Sequence, residues 1–106
     1  MVDSSITTPK VLILGVAYKA GVGDVRETPA SELRKTLKAL GAIVAWYDPL
    51  VSIWEDSEPV DFGWECDVAI LAINQTGMNL DALMKRGVRI LDCTNSIKPS
   101  VRVTSL

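Results

Sequence analysis

A short loop in the first third of the sequence carries the side chains best suited to bind a ligand. The segment GVAYKAGVGDVRETPA, residues 15–30, places the cations Lys19 and Arg26 close to two acids, Asp24 and Glu27. A lysine is a compact positive charge that suits a phosphate, and the planar arginine fork can grip a phosphate with two hydrogen bonds. The segment therefore indicates either a phosphate-binding loop or a solvated surface pair in which Arg26 only neutralises Asp24 or Glu27.

The glycines of this loop do not form a dinucleotide-binding fingerprint. Gly15, Gly21 and Gly23 lack the GxGxxG spacing, and the loop is longer than the turn which that fingerprint uses. The chain by itself is therefore not expected to cradle NAD, and ligand binding must rest on side chains. Asp48 stands where a dinucleotide-binding fold would place a ribose-binding acid, but Pro49 follows it, so Asp48 is expected to form a strand-terminating turn or to cap a helix.

The loop is expected to join a central strand to an amphipathic helix. Residues 11–16, VLILGV, are a short, continuously apolar run of the kind that is covered on both faces of a parallel sheet. The helix is predicted to have Thr28 as its N-cap, Pro29 at its first position and Gly41 just beyond its end.

Three more strands and a second helix complete the predicted pattern. The strands are residues 42–47, 67–73 and 88–92, and the second helix is capped by Asn79 and stopped by Gly87. Residues 50–66 are expected to be an irregular connection, and residues 97–106 an ordered edge segment or a loose terminus. The alternation predicts an α/β, Rossmann-like three-layer fold with a mainly parallel, doubly wound sheet, which binds ligands outside the carboxyl ends of its strands.

Composition restricts the class of protein. The 106 residues suffice for one domain, assigned to residues 11–106, with residues 1–10 as a linker or N-terminal extension. Eleven basic and thirteen acidic residues give a net charge of -2, which argues against a nucleic-acid partner. No apolar run approaches the roughly 20 residues of a membrane span, and the first residues lack the apolar core of a signal peptide. A cytoplasmic protein without a membrane partner is expected.

Other residues have a structural and a functional interpretation. Cys66 and Cys93 lack a CxxC motif and the chain has no histidine, so both are expected to be buried thiols and no metal site is assigned. Residues 74–76 follow the third strand, where they hydrogen-bond a nucleotide or cap the next helix. Trp54 and Trp64 are expected to cover the sheet or face a partner domain.

The order of the motifs resembles a known family. The opening segment, followed by WYDPLV and later by ILDCTN, is similar to the C-terminal domain of the UDP-glucose/GDP-mannose dehydrogenase family over about residues 11–95. These enzymes oxidise a nucleotide sugar twice at its hydroxymethyl carbon with NAD. The first segment is highly specific for the family, YDP is moderately specific, and DCTN is weakly specific.

The resemblance implies a role for each cation of the loop. Tyr18 and Lys19 match an aromatic-lysine pair, which implies contact with the substrate, a UDP-sugar. Arg26 matches the arginine of an Arg-Glu-Ser/Thr-Pro motif, which implies reach toward NAD bound on another domain. Thr94 departs from the family pattern, because many members carry arginine there. Either the substrate differs, or binding is weaker, or the contact is supplied elsewhere.

The resemblance also implies that this sequence is one part of an enzyme. The family's catalytic cysteine, catalytic lysine and glycine-rich NAD loop belong to regions not present here, so no catalytic residue is assigned and the chain alone is expected to be inactive. We expect a natural fragment or an excised piece of a UDP-glucose or UDP-ManNAc type 6-dehydrogenase of polysaccharide biosynthesis. The implied partners are an N-terminal NAD-binding domain and a central helix that makes a homodimer. A non-catalytic docking module that binds no nucleotide is the alternative.

Overall fold

Strands and helices alternate along the chain. A computed structural model describes residues 8–26, 28–94 and 103–105, the last three by their backbone. The elements are β1 (Lys10–Leu14), α1 (Ala30–Ala39), β2 (Ile43–Tyr47), β3 (Val68–Leu71), α2 (Leu80–Lys85), β4 (Arg89–Asp92) and β5 (Val103–Ser105). The four predicted strands and two predicted helices are confirmed, with ends that shift by at most two residues.

The five strands form one parallel sheet in the order β2-β1-β3-β4-β5. β1 lies between β2 and β3, so the chain winds to one side of β1 first and to its other side afterwards. Residues 11–14 are buried because both faces of this strand are covered. The predicted Rossmann-like, doubly wound fold is confirmed, and its topological switch point lies between the carboxyl ends of β1 and β3.

Each face of the sheet carries its own apolar core. The core beneath α1 consists of Ile13, Val16, Ala17, Ala30, Trp46, Val51 and Trp54. The core beneath α2 consists of Leu12, Leu14, Ala45, Ala69, Leu71, Leu83, Val88 and Ile90. Successive residues of β1 alternate between the two cores, as the period of two in a strand requires.

The connection between β2 and β3, residues 48–67, contains no helix or strand and packs along both cores. Trp54 is buried and meets the Trp46 ring edge-on, with 5.7 Å between the centroids, while Trp64 is partly buried against the other core. Both residues therefore cover the sheet. The Val60 N–H donates to the Trp46 carbonyl over 2.9 Å, so the connection also touches the free edge of β2.

α1 begins one residue later than the sequence predicts. Pro29 occupies the N-cap position and Ala30 is the first helical residue. The Thr28 hydroxyl accepts a hydrogen bond from the Ala30 N–H over 3.3 Å and donates one to the Ala17 carbonyl over 3.1 Å. Thr28 therefore ties the start of the helix to the loop that precedes it. The predicted cap of α2, Asn79, is confirmed by its hydrogen bond to a backbone N–H of the first turn.

The prediction of two buried thiols is wrong. Cys66 is only half-buried and Cys93 is exposed, because β4 ends at Asp92 and Cys93 already belongs to the loop that follows. Desolvation raises the pKa of both thiols, and the charge of Asp92 raises that of Cys93 further. Neither thiol is therefore an activated nucleophile.

In the part of the chain that the structure describes, no three His, Cys, Asp or Glu side chains are grouped to hold a metal ion. No helix of the described residues has the length and apolar character to cross a membrane.

Candidate functional site

The loop that carries Lys19 and Arg26 leaves β1 at the topological switch point. Gly15 turns the chain there with φ +80°, and its N–H donates to the Tyr47 carbonyl over 2.9 Å. A Cβ at Gly15 would collide with the carbonyl oxygen of Ile73. Only glycine fits this position, because it accepts the positive φ and leaves room for the neighbouring backbone.

Asp48 fixes the base of the loop. Its side chain is buried at the end of β2, where Oδ2 accepts hydrogen bonds from the Val16 N–H over 2.9 Å and the Ala17 N–H over 3.2 Å. Its Oδ1 accepts from the Leu50 N–H over 2.9 Å. These donors stabilise a buried carboxylate that would otherwise be costly. The structural role predicted for Asp48 is confirmed.

The residues that the structure describes do not form a dinucleotide cradle. Asp48, at the position of a ribose-binding acid, is buried and already occupied by backbone N–H groups. The turn at Gly15 lacks the glycine spacing that brings a pyrophosphate to a helix N-terminus. The residues present therefore do not fit NAD as their own bound cofactor.

Gln75 fixes the tip of the loop from the end of β3. Its Oε1 accepts a hydrogen bond from the Gly21 N–H over 2.7 Å, and its Nε2 donates to the Val22 carbonyl over 2.9 Å. The same Nε2 lies 3.2 Å from Oδ2 of Asp48. The side chain is 1% exposed and its amide is bonded to the loop, so it faces no ligand, and α2 is capped by Asn79 instead. For Gln75, both of the roles predicted for residues 74–76 are wrong.

The loop closes on itself between these two anchors. The Tyr18 N–H donates to the Asp24 carbonyl over 2.6 Å, so residues 19–23 form a protruding tip. Gly23 lies against the backbone of the next connection, where a Cβ would approach the Leu50 carbonyl oxygen to 2.5 Å. The tip is thus held by the scaffold around it.

Tyr18 and Lys19 are displayed side by side at the surface of this loop. The Tyr18 side chain is exposed, and the Lys19 Nζ lies 5.9 Å from the centroid of its ring, within the range of a weak cation–π contact. Lys19 is also exposed and forms no ion pair with any residue in the described ranges. Its charge is therefore accessible to an anion.

Arg26 lies on the same loop but faces an acid of its own chain. Its Nη2 lies 2.7 Å from Oδ2 of Asp24 and its Nε lies 3.1 Å from Oδ1, a forked pair with an arginine side chain that is 86% exposed. The hydrogen bonds from Arg26 lower the pKa of Asp24 to about 2. Ion pairs this exposed contribute little to stability. The pair therefore opposes a turn of Arg26 toward another anion only weakly.

Thr94 lies at the same edge of the sheet, after β4. Its N–H and its hydroxyl donate to Oδ1 of the buried Asp92 over 2.8 Å and 2.6 Å. Thr94 therefore stabilises the turn that leaves β4. The exposed Lys19 loop and the buried polar side chains that support it therefore lie together at the carboxyl ends of β1 to β4.

These features define a Rossmann-like α/β domain with its candidate binding loop at the topological switch point. A family model described as the UDP-glucose/GDP-mannose dehydrogenase family, UDP binding domain, matches residues 12–99. The chain therefore belongs to the UDP-glucose/GDP-mannose dehydrogenase family and corresponds to the UDP-binding domain of that family.

Curated relatives show how much of a longer enzyme the match covers. The chain is 34% identical over 79 residues to UDP-glucose 6-dehydrogenase 1 of Arabidopsis thaliana. It is 44% identical over 50 residues to UDP-N-acetyl-D-mannosamine dehydrogenase of Methanococcus maripaludis. The two matches cover 72% and 47% of this chain but only 16% and 12% of the relatives. The chain thus spans a small part of the length of these enzymes.

Solved structures share the fold. A UDP-D-ManNAc dehydrogenase from Pyrococcus horikoshii superposes with a TM-score of 0.72 at 26% identity, over 92% of this chain and 25% of that one. A GDP-mannose dehydrogenase from Pseudomonas aeruginosa, solved as a ternary complex, has a TM-score of 0.67 at 22% identity over 96% of this chain and 29% of that one. The second likeness shows the fold alone.

Proposed function

We propose that this domain holds the nucleotide part of a UDP-sugar for an NAD-dependent 6-dehydrogenase of the UDP-glucose or UDP-ManNAc type. The observation that carries the proposal is Lys19, an exposed cation without an ion pair among the described residues, on a loop anchored at the switch point. A lysine ammonium suits the diphosphate as a point charge. The exposed ring of Tyr18 adds an apolar face beside it.

The oxidation belongs to another part of the complete enzyme in this proposal. NAD bound there supplies the hydride acceptor. Arg26 reaches toward that dinucleotide across the domain interface, which its 86% exposed side chain and weak pair with Asp24 allow. Binding energy from the remote nucleotide positions the reacting carbon of the sugar. The complete enzyme is proposed to act as a cytoplasmic homodimer in the supply of precursors for polysaccharides.

Calorimetric titration of the domain with UDP at low salt tests this role. We expect weak binding that Lys19→Ala reduces at least tenfold, which corresponds to about 1.4 kcal/mol of lost charge-assisted contact. Arg26→Ala should leave UDP affinity within about twofold, because its proposed ligand is NAD. Lys85→Ala is the matched control, since Lys85 is also an exposed lysine but ends α2, away from the carboxyl edge.

Two results would contradict the proposal. UDP affinity that is equal in the wild type and in Lys19→Ala would remove Lys19 from the site. The second result combines a wild-type domain that binds no UDP with a complete enzyme whose KM for the UDP-sugar is the same in the wild type and in Lys19→Ala. That result would instead favour a docking module without nucleotide binding.

A further inference from the structure

The amide of Gln75 has its orientation dictated by its surroundings. Oε1 faces the Gly21 N–H, whereas Nε2 faces two oxygens, the Val22 carbonyl and Oδ2 of Asp48. Reversing the amide would set donor against donor and acceptor against two acceptors. Both N–H groups of the amide are used, so this side chain is committed to the loop.

The position of Lys19 depends on this contact. Lys19 lies between the closure at Tyr18 and the two tip residues, Gly21 and Val22, that Gln75 holds. Gly21 has φ +84° and a Cβ built on it would meet nothing within 4 Å, so the hydrogen bonds from Gln75 add to the packing of Gly23 against Leu50 in holding the tip. Without the amide, the tip loses its contact with the end of β3.

We infer that Gln75 is a positioning residue for the binding loop: its buried amide joins the loop tip to Asp48 and thereby fixes Lys19 where the nucleotide binds. The inference rests on the proposed function, in which Lys19 contacts the diphosphate. Gln75 acts through the loop backbone and touches no ligand. A well-packed apolar residue could fill its volume but would leave the Gly21 N–H and the Val22 carbonyl without their partner.

The isosteric variant Gln75→Glu tests this inference, because its effect on the loop should be partly reversed when the introduced carboxyl is protonated. Ionised, the introduced carboxylate still accepts from the Gly21 N–H but repels the Val22 carbonyl and Asp48. Protonated, it donates one hydrogen bond again. Burial and the charge of Asp48 both raise the pKa of the introduced carboxyl. Asp48 is the titratable side chain in hydrogen-bond contact with Gln75 within the described residues.

UDP affinity and amide hydrogen exchange at Gly21 should therefore change together. At about pH 7.5 we expect Gln75→Glu to bind UDP about tenfold more weakly than the wild type, with a Gly21 amide that exchanges faster. At about pH 5.5 both differences from the wild type should shrink, because the carboxyl takes up a proton. The control Lys85→Ala alters an exposed residue at the end of α2, away from the binding loop, and should change neither readout.

The double variant with Lys19→Ala shows whether Gln75 acts through Lys19. If it does, Gln75→Glu has no further effect on UDP affinity once Lys19 is gone. A deficit in affinity that does not depend on pH, or that persists in full beside Lys19→Ala, would overturn the inference.

Failure of the proposed function has a different signature. If Lys19→Ala alone leaves UDP affinity unchanged, the proposed function fails, and Gly21 exchange then decides whether Gln75 still fixes the loop. An exchange rate that Gln75→Glu leaves unchanged at both pH values would overturn the role of Gln75 even where UDP binds as proposed.

Discussion

The carboxyl edge of the sheet holds the buried polar side chains of the described residues beneath its exposed loop, whereas a hydrogen-bonded acid at the amino edge is exposed. The described residues include four buried polar side chains, all at the carboxyl edge: Thr28, Asp48, Gln75 and Asp92. At the amino edge, Asp67 also accepts a backbone hydrogen bond, from the Lys10 N–H over 2.8 Å, but both residues are exposed. Because a buried polar group costs free energy unless it is satisfied, it stabilises only the one conformation that satisfies it. The fold thus places such groups where a loop must be held still.

Asp48 at the carboxyl edge and Asp67 at the amino edge are expected to show the largest difference in stability on substitution. Asp48→Ala should lower the free energy of unfolding by about 4 kcal/mol, because the N–H groups of Val16, Ala17 and Leu50 lose their acceptor. Asp67→Ala at the amino edge should cost less than about 1 kcal/mol, because water replaces an exposed acceptor. Urea unfolding of both variants measures the two values. Equal losses would mean that burial does not distinguish the two edges.

Two glycines with positive φ, Gly15 at the carboxyl edge and Gly41 at the amino edge, allow a comparison of how tightly the backbone is packed at the two edges. Gly15→Ala should cost about 3 kcal/mol, because the new methyl group meets the Ile73 carbonyl as well as the strained backbone. Gly41→Ala, with φ +93° and open space near the start of β2, should cost about 1 to 2 kcal/mol from backbone strain alone. Thermal unfolding at fixed protein concentration checks the order. A larger loss at Gly41 would contradict the close packing described for the switch point.

The smallest effect concerns the exposed pair on the loop. Asp24 titrates at about 2 rather than at 3.8 because Arg26 donates hydrogen bonds to it. A lowered pKa means that the pair favours the folded loop above about pH 4 and loses that contribution as the pH falls toward 2. In Arg26→Ala, the NMR titration midpoint of the Asp24 carboxyl should rise toward 3.8, while the control Arg34→Ala leaves it near 2. An Asp24 midpoint that is the same in the wild type and in Arg26→Ala would show that the pair does not form in solution.

The strands and the exposed loop could be predicted from the sequence because their signals are local. Residues 11–14 are continuously apolar, and a central parallel strand requires such a run. The sequence predicts a start of α1 that is one residue early because proline at position 29 suits both an N-cap and a first helical position. The prediction that Cys93 is buried rests on residue type and on the lack of a CxxC or histidine partner, and neither shows whether a residue just after a strand is exposed.

The support beneath the loop could not be predicted, because its contacts are distant in sequence. Gln75 is 54 residues from Gly21, and a single glutamine after a strand has no pattern that names its partner. Asp48 was correctly expected to be structural, but its hydrogen bonds to Val16 and Ala17, 32 and 31 residues earlier, depend on the strand order. Only the parallel pairing of β1 with β2 and β3 brings these groups together.

The hydrogen bond from Val60 to Trp46 covers part of the outer edge of the sheet. β2 is an outer strand, and the outward backbone groups of such a strand can template intermolecular β-pairing and aggregation. The connection occupies the outward carbonyl of Trp46, in a strand of only five residues. A foreign strand would have to displace Val60 before it could pair along the whole of β2, so the connection covers this edge of the sheet against intermolecular pairing.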